Sequence, residues 1–307
     1  MQNLPGGVDV PRTPELLNDF ERFKQLLHQR TGLDLNQYKF DQTYRRIWTM
    51  VERAGFRRFT DYLQHLLQDE ARLRAFIDRL AINVSELFRN PEQFQILERE
   101  ILPSLLQQSF SLRLWSAGCS YGAEAYSMAI LLHELAPRRP HQILGTDIDQ
   151  EMLARAQRGI FQENDMRTVP SVYRERYFRP FTENGRTLYE ADPILQRYLR
   201  FERHNLLADP YPQGFDLIAC RNVVIYFSED AKERVFREFY NALKPGGYLF
   251  LGNTERIFNY QQIGYENPYA FYYRKPEFFS PSVNNLGVGF PPEKKILQEV
   301  QQWRNAS

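Results

Sequence analysis

The sequence predicts an α/β protein with a mostly parallel, doubly wound sheet, preceded by an all-helical domain and interrupted by a small antiparallel insert. Two observations predict this architecture. In the second half of the chain, short apolar runs alternate with helical stretches, and repeated β-then-α units give parallel strands. Between residues 14 and 80, apolar residues recur at i, i+3, i+4 and i+7, which is the helical period.

The composition excludes several classes of protein. The formal net charge is +1, so the bulk charge does not favour a nucleic-acid partner. No apolar run reaches the roughly 18 residues of a membrane span, and the first residues lack the pattern of a signal peptide. Two cysteines, Cys119 and Cys220, cannot form a disulfide framework. We therefore expect a cytoplasmic, globular monomer that does not insert into a membrane.

Taken in order, the elements predict three regions. A helical domain of about four helices spans 13–90, with Gly32 and Gly55 between helices. A second domain spans 91–275 and begins with a linking helix over 91–106. Within it we predict strands at 112–115, 142–145, 217–220 and 248–251, helices at 123–135, 151–157 and 228–243, and an antiparallel insert at about 160–204 that includes short strands at 187–190 and 198–201. The tail, 276–307, is rich in Pro, Ser, Asn and Gly and is predicted to be loose.

The turn at 116–122, between the first strand and its helix, predicts a ligand site. Gly118 and Gly122 permit positive φ and close approach of a ligand to the backbone. The pattern is not G-x-G-x-x-G, so it does not indicate a pyrophosphate site. Glu124, at the start of the helix, would repel a phosphate and suits a ligand that carries an amine.

Asp147 ends the second strand, where an acid accepts hydrogen bonds from ribose hydroxyls in nucleotide-binding sheets. The alternative is that Asp147 caps the next helix, but Asp149 is better placed for that role. An acid for the ribose, a glycine turn without a phosphate site and a carboxylate for an amine together favour S-adenosylmethionine over NAD.

Two segments of the helical region leave alternatives open. Lys39, Arg46 and Arg53 are seven residues apart and would lie on one helix face, which is either a solvated face or a docking surface for an acidic helix. The segment 83–91 carries Asn83, Ser85 and Arg89 among apolar residues, and is either a helix cap or part of a site.

The chain resembles the CheR family, the methyltransferases that act on glutamates of chemotaxis receptors. Residues 115–127 resemble the family's W-S-A-G-C-S-x-G-E-E-P-Y-S, and residues 216–227 resemble its highly specific D-x-I-x-C-R-N-V-x-I-Y-F. Residues 243–252 resemble L-K-P-G-G-x-L-F-x-G, residues 205–207 resemble N-L-L, and residues 83–89 resemble N-x-T-x-F-F-R. The resemblance covers roughly residues 15 to 275, in order.

The resemblance implies a Rossmann-like methyltransferase sheet, S-adenosylmethionine as cofactor, S-adenosylhomocysteine as product and the cytoplasmic helices of methyl-accepting chemotaxis receptors as partners. Apart from the resemblance, the five histidines are scattered and no Cys/His spacing suggests zinc, so we expect no metal. The cofactor contacts that the resemblance implies are Asn83, Ser85, Arg89, Gly118, Glu124, Asp147, Asn205, Leu206, Asn222 and Val223. Arg89 and Tyr226 are the implied catalytic residues, which would orient the substrate carboxylate. It also favours the docking interpretation of Lys39, Arg46 and Arg53, because receptor glutamates at heptad spacing would match their period.

The chain departs from the family motifs in two places. Ala123 and Ala125 replace a Glu and a Pro after the glycine turn, and Ser85 and Leu87 replace a Thr and a Phe in the early motif. The first departure supports an alternative function, a non-catalytic sensor or scaffold that binds S-adenosylmethionine or S-adenosylhomocysteine. A methyltransferase for nucleic acid or a small molecule is a further alternative, although residues 222–225 do not form the Asn-Pro-Pro-Tyr type of motif.

Overall fold

The computed structural model of the chain describes residues 10–80 and 85–277. Asn83 and the tail from residue 278 onward therefore lie outside the described residues. Residues 10–80 form four α-helices, as the apolar spacing predicts. Their bounds are α1 (Pro14–Thr31), α2 (Phe40–Arg53), α3 (Phe59–Leu67) and α4 (Glu70–Leu80), with a 3₁₀ turn at Leu35–Gln37.

Local sequence signals set the first helix. The Thr13 hydroxyl accepts the Leu16 N–H, Pro14 occupies the first turn, and Gly32 ends the helix at φ 73°. Apolar residues three and four apart turn inward from each helix and build one core. The largest fully buried members of this core are Phe20, Phe23, Tyr44, Phe59 and Phe76.

A continuous helical segment links the two halves, as predicted for 91–106. It consists of α5 (Pro91–Ile96), a π-helical stretch (Leu97–Ile101) and α6 (Leu102–Gln108). The π stretch ends two residues before Pro103, which has no N–H to donate to the preceding turn. A local change of hydrogen-bond register accommodates that missing donor without ending the helix.

The second half is built on a seven-stranded sheet, which confirms the predicted α/β architecture. The strand order is β6-β2-β1-β7-β8-β10-β9, in which β6 to β8 pair in parallel and β10 and β9 are antiparallel. The strands of this sheet are β1 (Arg113–Ala117), β2 (Gln142–Asp147), β6 (Leu199–Arg203), β7 (Phe215–Cys220), β8 (Leu243–Leu251), β9 (Glu266–Tyr269) and β10 (Tyr272–Arg274).

Helices cover both faces of the sheet. Successive residues of the central strand β7 belong to different apolar clusters, because neighbouring side chains point to opposite faces: Leu217 lies in one cluster and Ile218 in the other. The helices are α7 (Ala123–Leu135), α8 (Gln150–Arg158), α9 (Ser171–Tyr177), α10 (Pro193–Gln196), α11 (Glu229–Ala242) and α12 (Tyr260–Ile263). The predicted bounds of the first of these, 123–135, are confirmed.

The antiparallel insert is smaller than the predicted 160–204. Three strands, β3 (Ile160–Gln162), β4 (Phe178–Glu183) and β5 (Arg186–Ala191), form a separate sheet in the order β3-β5-β4. The stretch that includes 198–201 was wrongly assigned to it, because β6 pairs in parallel with β2 at the edge of the main sheet. An edge strand alternates between buried and exposed residues as an antiparallel strand does, so its periodicity could not separate the two.

The strand predicted at 248–251 begins earlier, at Leu243, and includes the Lys-Pro-Gly-Gly segment at 244–247, which the predicted bounds left between helix and strand. Gly246 adopts φ +81°, and its N–H donates to the carbonyl of Lys275. The N–H of Lys275 donates in return to the carbonyl of Gly247. The pairing of β8 with β7 shifts register at the same place. The glycine pair thus forms an irregularity inside the strand rather than a turn before it.

A short backbone seam joins the helical domain to the sheet domain. Tyr38 forms an isolated antiparallel bridge with Phe227. Lys39 donates its N–H to the carbonyl of Tyr226 at 3.0 Å, and Ser228 donates its N–H to the carbonyl of Gln37 at 2.8 Å. The seam therefore fixes the start of α2 against the segment that follows β7.

Candidate functional site

A cavity of about 660 Å³ lies between the helical domain and the carboxyl ends of the parallel strands. This is the edge at which ligands bind in open α/β sheets. Nearly all of the predicted site residues line it. Those within the described residues are Ser85, Arg89, Gly118, Glu124, Asp147, Asn205, Leu206, Asn222, Val223 and Tyr226.

The turn after β1 forms one wall of the cavity. Gly118 has φ +77°, and the N–H groups of Gly118 and Cys119 both donate to the Thr146 carbonyl at 2.8 Å. A β-carbon on Gly118 would lie 2.5 Å from Cγ2 of Val223. The glycine is therefore required both by its backbone conformation and by the approach of the turn after β7.

Asp147 occupies the predicted place at the end of β2 and is 8% exposed. Its Oδ2 accepts the Ser120 N–H at 2.8 Å and its Oδ1 accepts the Asp149 N–H at 3.0 Å. Burial raises the pKa of Asp147, and these hydrogen bonds oppose the rise. Asp149 caps α8 by accepting the Met152 N–H, which confirms that it is the capping residue. Each Asp147 oxygen retains acceptor capacity for a ribose hydroxyl.

Glu124 lies in the first turn of α7 and is largely buried. Its Oε1 accepts the Ser116 hydroxyl at 2.6 Å, and its Oε2 lies 3.8 Å from Nη1 of Arg221. Burial raises the pKa of Glu124, and Arg221 lowers it in part. A cationic amine would complete the charge balance around this carboxylate.

Arg221 is a residue that the sequence analysis left without a role. Its side chain is 3% exposed and lies over the rings of Phe94 and Phe250. It donates to the Arg89 carbonyl at 2.7 Å, to Asn90 Oδ1 at 2.9 Å and to Gln93 Oε1 at 3.0 Å. Arg221 thus fixes the backbone of the segment that presents Arg89. The available signal was an arginine directly after the apolar run 217–220.

Arg89 and Tyr226, the two predicted catalytic residues, line the same cavity. Tyr226 ends the 3₁₀ turn Val224–Tyr226 after β7. Burial raises the pKa of Tyr226, while the guanidinium groups of Arg46 and Arg89 oppose that rise. The phenol therefore keeps its proton at neutral pH and can donate a hydrogen bond.

Asn222 joins β7 to this turn in a left-handed conformation, at φ +62°. Its Oδ1 is buried and has no hydrogen-bond partner among the described residues. A buried acceptor without a partner costs free energy unless a ligand satisfies it. Together with the two carboxylates at Asp147 and Glu124, this acceptor fits a ligand that carries hydroxyl groups and an ammonium group.

Two family models match the chain: "CheR methyltransferase, all-alpha domain" over residues 18–81 and "CheR methyltransferase, SAM binding domain" over residues 83–268. Together they cover most of the chain. The chain belongs to the CheR methyltransferase family. Its cofactor is S-adenosylmethionine, and the cavity residues fit that molecule: Asp147 suits the ribose and Glu124 the ammonium group.

Relatives of similar length agree with this family. The chain is 38% identical over 263 residues to a chemotaxis protein methyltransferase of Listeria innocua, a match that covers 85% of this chain and 99% of the relative. It is 36% identical to the one of Salmonella typhimurium, over 84% of this chain and 92% of the relative. It is 34% identical to the one of Escherichia coli, over 78% and 84%. These likenesses do not favour the non-catalytic alternative.

Two further predicted cofactor contacts of this CheR-family chain, Asn205 and Leu206, follow β6. The Asn205 side-chain oxygen accepts the Leu207 N–H at 2.9 Å, so the amide closes its own turn. The N–H of Asn205 donates to Asp209. Leu206 is 8% exposed and offers an apolar surface to the cavity. Leu206 therefore supplies apolar surface to the cavity, while the Asn205 side-chain oxygen is engaged within its own turn.

The three predicted docking residues differ in their surroundings. Lys39 precedes α2 and belongs to the backbone seam. Arg46 is half-buried, lines the cavity and donates from Nε to the Arg79 carbonyl at 3.0 Å. Arg53 is exposed near the end of α2. The equal spacing predicts that all three lie on one docking face. In the structure, Arg46 has a further contact, because its hydrogen bond to the Arg79 carbonyl joins α2 to the end of α4.

Tyr38, which the sequence analysis did not single out, is the aromatic residue that the helical domain adds to the cavity beside Asp147. Burial raises the pKa of Tyr38 to about 12, with a further contribution from Asp147. Its ring meets Phe227 edge-on, with centroids 5.6 Å apart.

Within residues 10–80 and 85–277, no helix combines the length and apolar character that crossing a bilayer requires.

Proposed function

We propose that this CheR-family methyltransferase methylates glutamate side-chain carboxylates on the cytoplasmic helices of chemotaxis receptors, and so forms glutamate methyl esters. The observation that carries the proposal is the shared cavity: Arg89 and Tyr226 lie at the same strand edge as Asp147 and Glu124. Acids suited to a nucleoside and an ammonium group thus adjoin donors suited to a carboxylate.

The bound cofactor supplies an electrophilic methyl group on a sulfonium. The protein holds the cofactor at three places. Asp147 receives the ribose hydroxyls, Glu124 receives the ammonium group, and Asn222 offers its buried side-chain oxygen. Gly118 and Val223 set the shape of the wall between them.

The substrate side of the cavity needs no general base. A glutamate side chain has an unperturbed pKa of about 4.3, so it is already ionised at neutral pH. Arg89 and Tyr226 orient this carboxylate through charge and a hydrogen bond, and the surrounding apolar residues exclude water. Positioning of this kind supplies roughly 7–11 kcal/mol of barrier lowering in favourable cases.

The helical domain provides the surface for the receptor. Arg53 and its basic neighbours Arg57 and Arg58 are exposed, which suits an acidic helix. The relatives named above are chemotaxis methyltransferases, which supports a receptor as substrate and a cytoplasmic site of action. The carboxylate of a receptor helix would reach the cavity between α2 and Tyr226.

The test is incubation of the purified protein with methyl-labelled S-adenosylmethionine and membranes that contain receptors. We expect label on a receptor-sized band, released by mild base as methanol, because methyl esters are base-labile. Base-stable label would instead indicate methylation of an amine. Tight binding of S-adenosylhomocysteine with no label on any protein would support the sensor alternative and contradict the proposal.

A further inference from the structure

Glu255 is a buried acid outside every motif of the sequence analysis. It lies in the turn after β8 and is 3% exposed. Its Oε2 accepts the Asn222 N–H at 2.7 Å and the Gly252 N–H at 2.8 Å, and its Oε1 accepts the Val223 N–H at 2.9 Å. One carboxylate therefore collects three backbone donors from the ends of two strands.

These donors are the groups that a buried carboxylate requires. Burial raises the pKa of Glu255, and the three backbone hydrogen bonds and Arg221 act against that rise. Charge-assisted hydrogen bonds to backbone N–H groups are short and strong, and three of them fix both oxygens in space. The same hydrogen bonds also fix the backbone at the three donors, because each N–H group has this carboxylate as its acceptor.

The donors belong to the residues that line the cavity. Asn222 is held at positive φ, a conformation that asparagine tolerates better than most non-glycine residues, and its N–H is fixed there by Glu255. Val223 in turn lies against Gly118, at the place where a β-carbon would be. The Glu255 carboxylate thus joins the turns after β7 and β8, and Val223 extends this connection to the turn after β1.

We propose that Glu255 is a positioning residue of the methyl-transfer site: its carboxylate sets the Asn222–Val223 turn, and through it the place of the cofactor and of Tyr226 three residues later. The part of this proposal that concerns turnover rests on the proposed function, whereas the part that concerns cofactor binding does not. Glu255 is not among the residues that line the cavity.

The first test is Glu255→Gln, which keeps the shape but replaces one acceptor oxygen by an NH₂ group that faces a backbone donor. We expect affinity for S-adenosylhomocysteine, measured by calorimetry well below the melting temperature, to fall at least tenfold. We expect kcat for receptor methylation to fall by about 10²-fold, the effect of an ångström-scale misplacement, with a smaller change in the KM for receptor.

A second variant reaches the same carboxylate without changing its charge. A β-carbon at Gly252 would lie 2.7 Å from Glu255 Oε2 and 3.1 Å from the Asn222 nitrogen. Gly252→Ala should therefore displace the carboxylate and lower affinity and kcat in the same direction. It keeps the proposal testable if Glu255→Gln does not fold.

The matched control is Asp216→Asn, at the amino end of β7 and away from the cavity. Asp216 is also buried, at 4% exposure, accepts the Arg113 N–H at 2.7 Å and binds Lys244. It should lower the melting temperature while leaving affinity and kcat unchanged. The proposal is overturned if Glu255→Gln or Gly252→Ala behaves like this control. If the wild-type protein methylates no receptor, the proposed function fails, and the two affinities still decide the role of Glu255.

Discussion

The side chain of Val223 occupies the space beside Gly118 in which a β-carbon would have to lie, with only 2.5 Å between Cγ2 and that position. The two residues are more than a hundred positions apart in the chain, yet they form one wall of the cavity. Because of this contact, the conformation of the glycine turn after β1 depends on the position of Val223 in the turn after β7. A substitution at Gly118 tests this dependence through cofactor affinity.

Gly118→Ala should weaken S-adenosylhomocysteine binding more than tenfold, because the new methyl group must displace Val223 and the alanine backbone must adopt φ +77°. Calorimetry measures the change. Gly55→Ala is a matched control, since Gly55 has φ +81° and no atom within 4 Å of a β-carbon. The control should lose about 1 kcal/mol of stability and no affinity. Equal affinities in the two variants would contradict the prediction.

Cofactor affinity should fall as the pH falls below neutral. Burial raises the pKa of both Glu124 and Asp147, so they take up protons at a higher pH than ordinary carboxyl groups. In the proposed site the ionised forms would bind the ammonium group and the ribose, so protonation of either carboxylate should weaken binding. Folding has the opposite sign: the folded state binds more protons here than the unfolded state, so these two groups add stability as the pH falls through the same window. Titrations of S-adenosylhomocysteine at several pH values test the predicted loss of affinity in acid. An affinity that does not change with pH would contradict it.

Asp78→Asn should stabilise the protein at neutral pH. Burial, together with the charges of Asp149 and Glu151, raises the pKa of Asp78 from 3.8 to about 6. Above that value the charged form costs stability, whereas below pH 4 the folded and unfolded states are both protonated. The variant should therefore gain about 1 kcal/mol at pH 7 and little near pH 4, after allowance for solvent screening. Thermal melts at the two pH values measure this difference, and an equal gain at both would count against it.

Tyr226→Phe should lower kcat for receptor methylation by about tenfold, which corresponds to the loss of one hydrogen bond worth roughly 1.4 kcal/mol in the transition state. Its backbone carbonyl still accepts the Lys39 N–H, so the seam is preserved. Affinity for S-adenosylhomocysteine should not change. A variant with full kcat would show that the hydroxyl does not orient the substrate.

Arg53→Glu should raise the KM for receptor about three- to tenfold at low salt and less at high salt, because exposed charge pairs are weak and screened. Cofactor affinity should stay constant. Arg46→Glu is the less specific change, since it also removes the donor to the Arg79 carbonyl and alters the cavity. A receptor KM that is insensitive to Arg53→Glu at every salt concentration would reject the docking surface.

Local patterns in the sequence predicted the elements well where one signal dominated. The helix at 123–135 follows a glycine turn and has the predicted bounds. The strand at Leu199–Arg203 was misassigned, because the alternation of an edge strand is the same in either kind of sheet. Pairing partners decide such a case, and they lie far away in the chain.

The predicted cofactor and catalytic residues within the described range all line one cavity, but the residues that hold them in place were missed. Arg221 acts on Arg89 across 132 positions and Glu255 acts on Asn222 across 33. Tyr38 comes from the other domain. Their roles depend on contacts that form only in the folded chain. Arg221 stands in the motif at 216–227, but the motif gives the residue type and not its distant partners.

The seam between residues 37–39 and 226–228 has a consequence for the exchange of parts between relatives. One hydrogen bond joins the residue before α2 to the carbonyl of Tyr226, so the helical domain and the end of the cavity at Tyr226 are linked through backbone atoms. A helical domain transplanted from another protein would have to bring a matching three-residue edge. Without that edge, both domains of the chimera could fold, but α2 would no longer be fixed against residues 226–228.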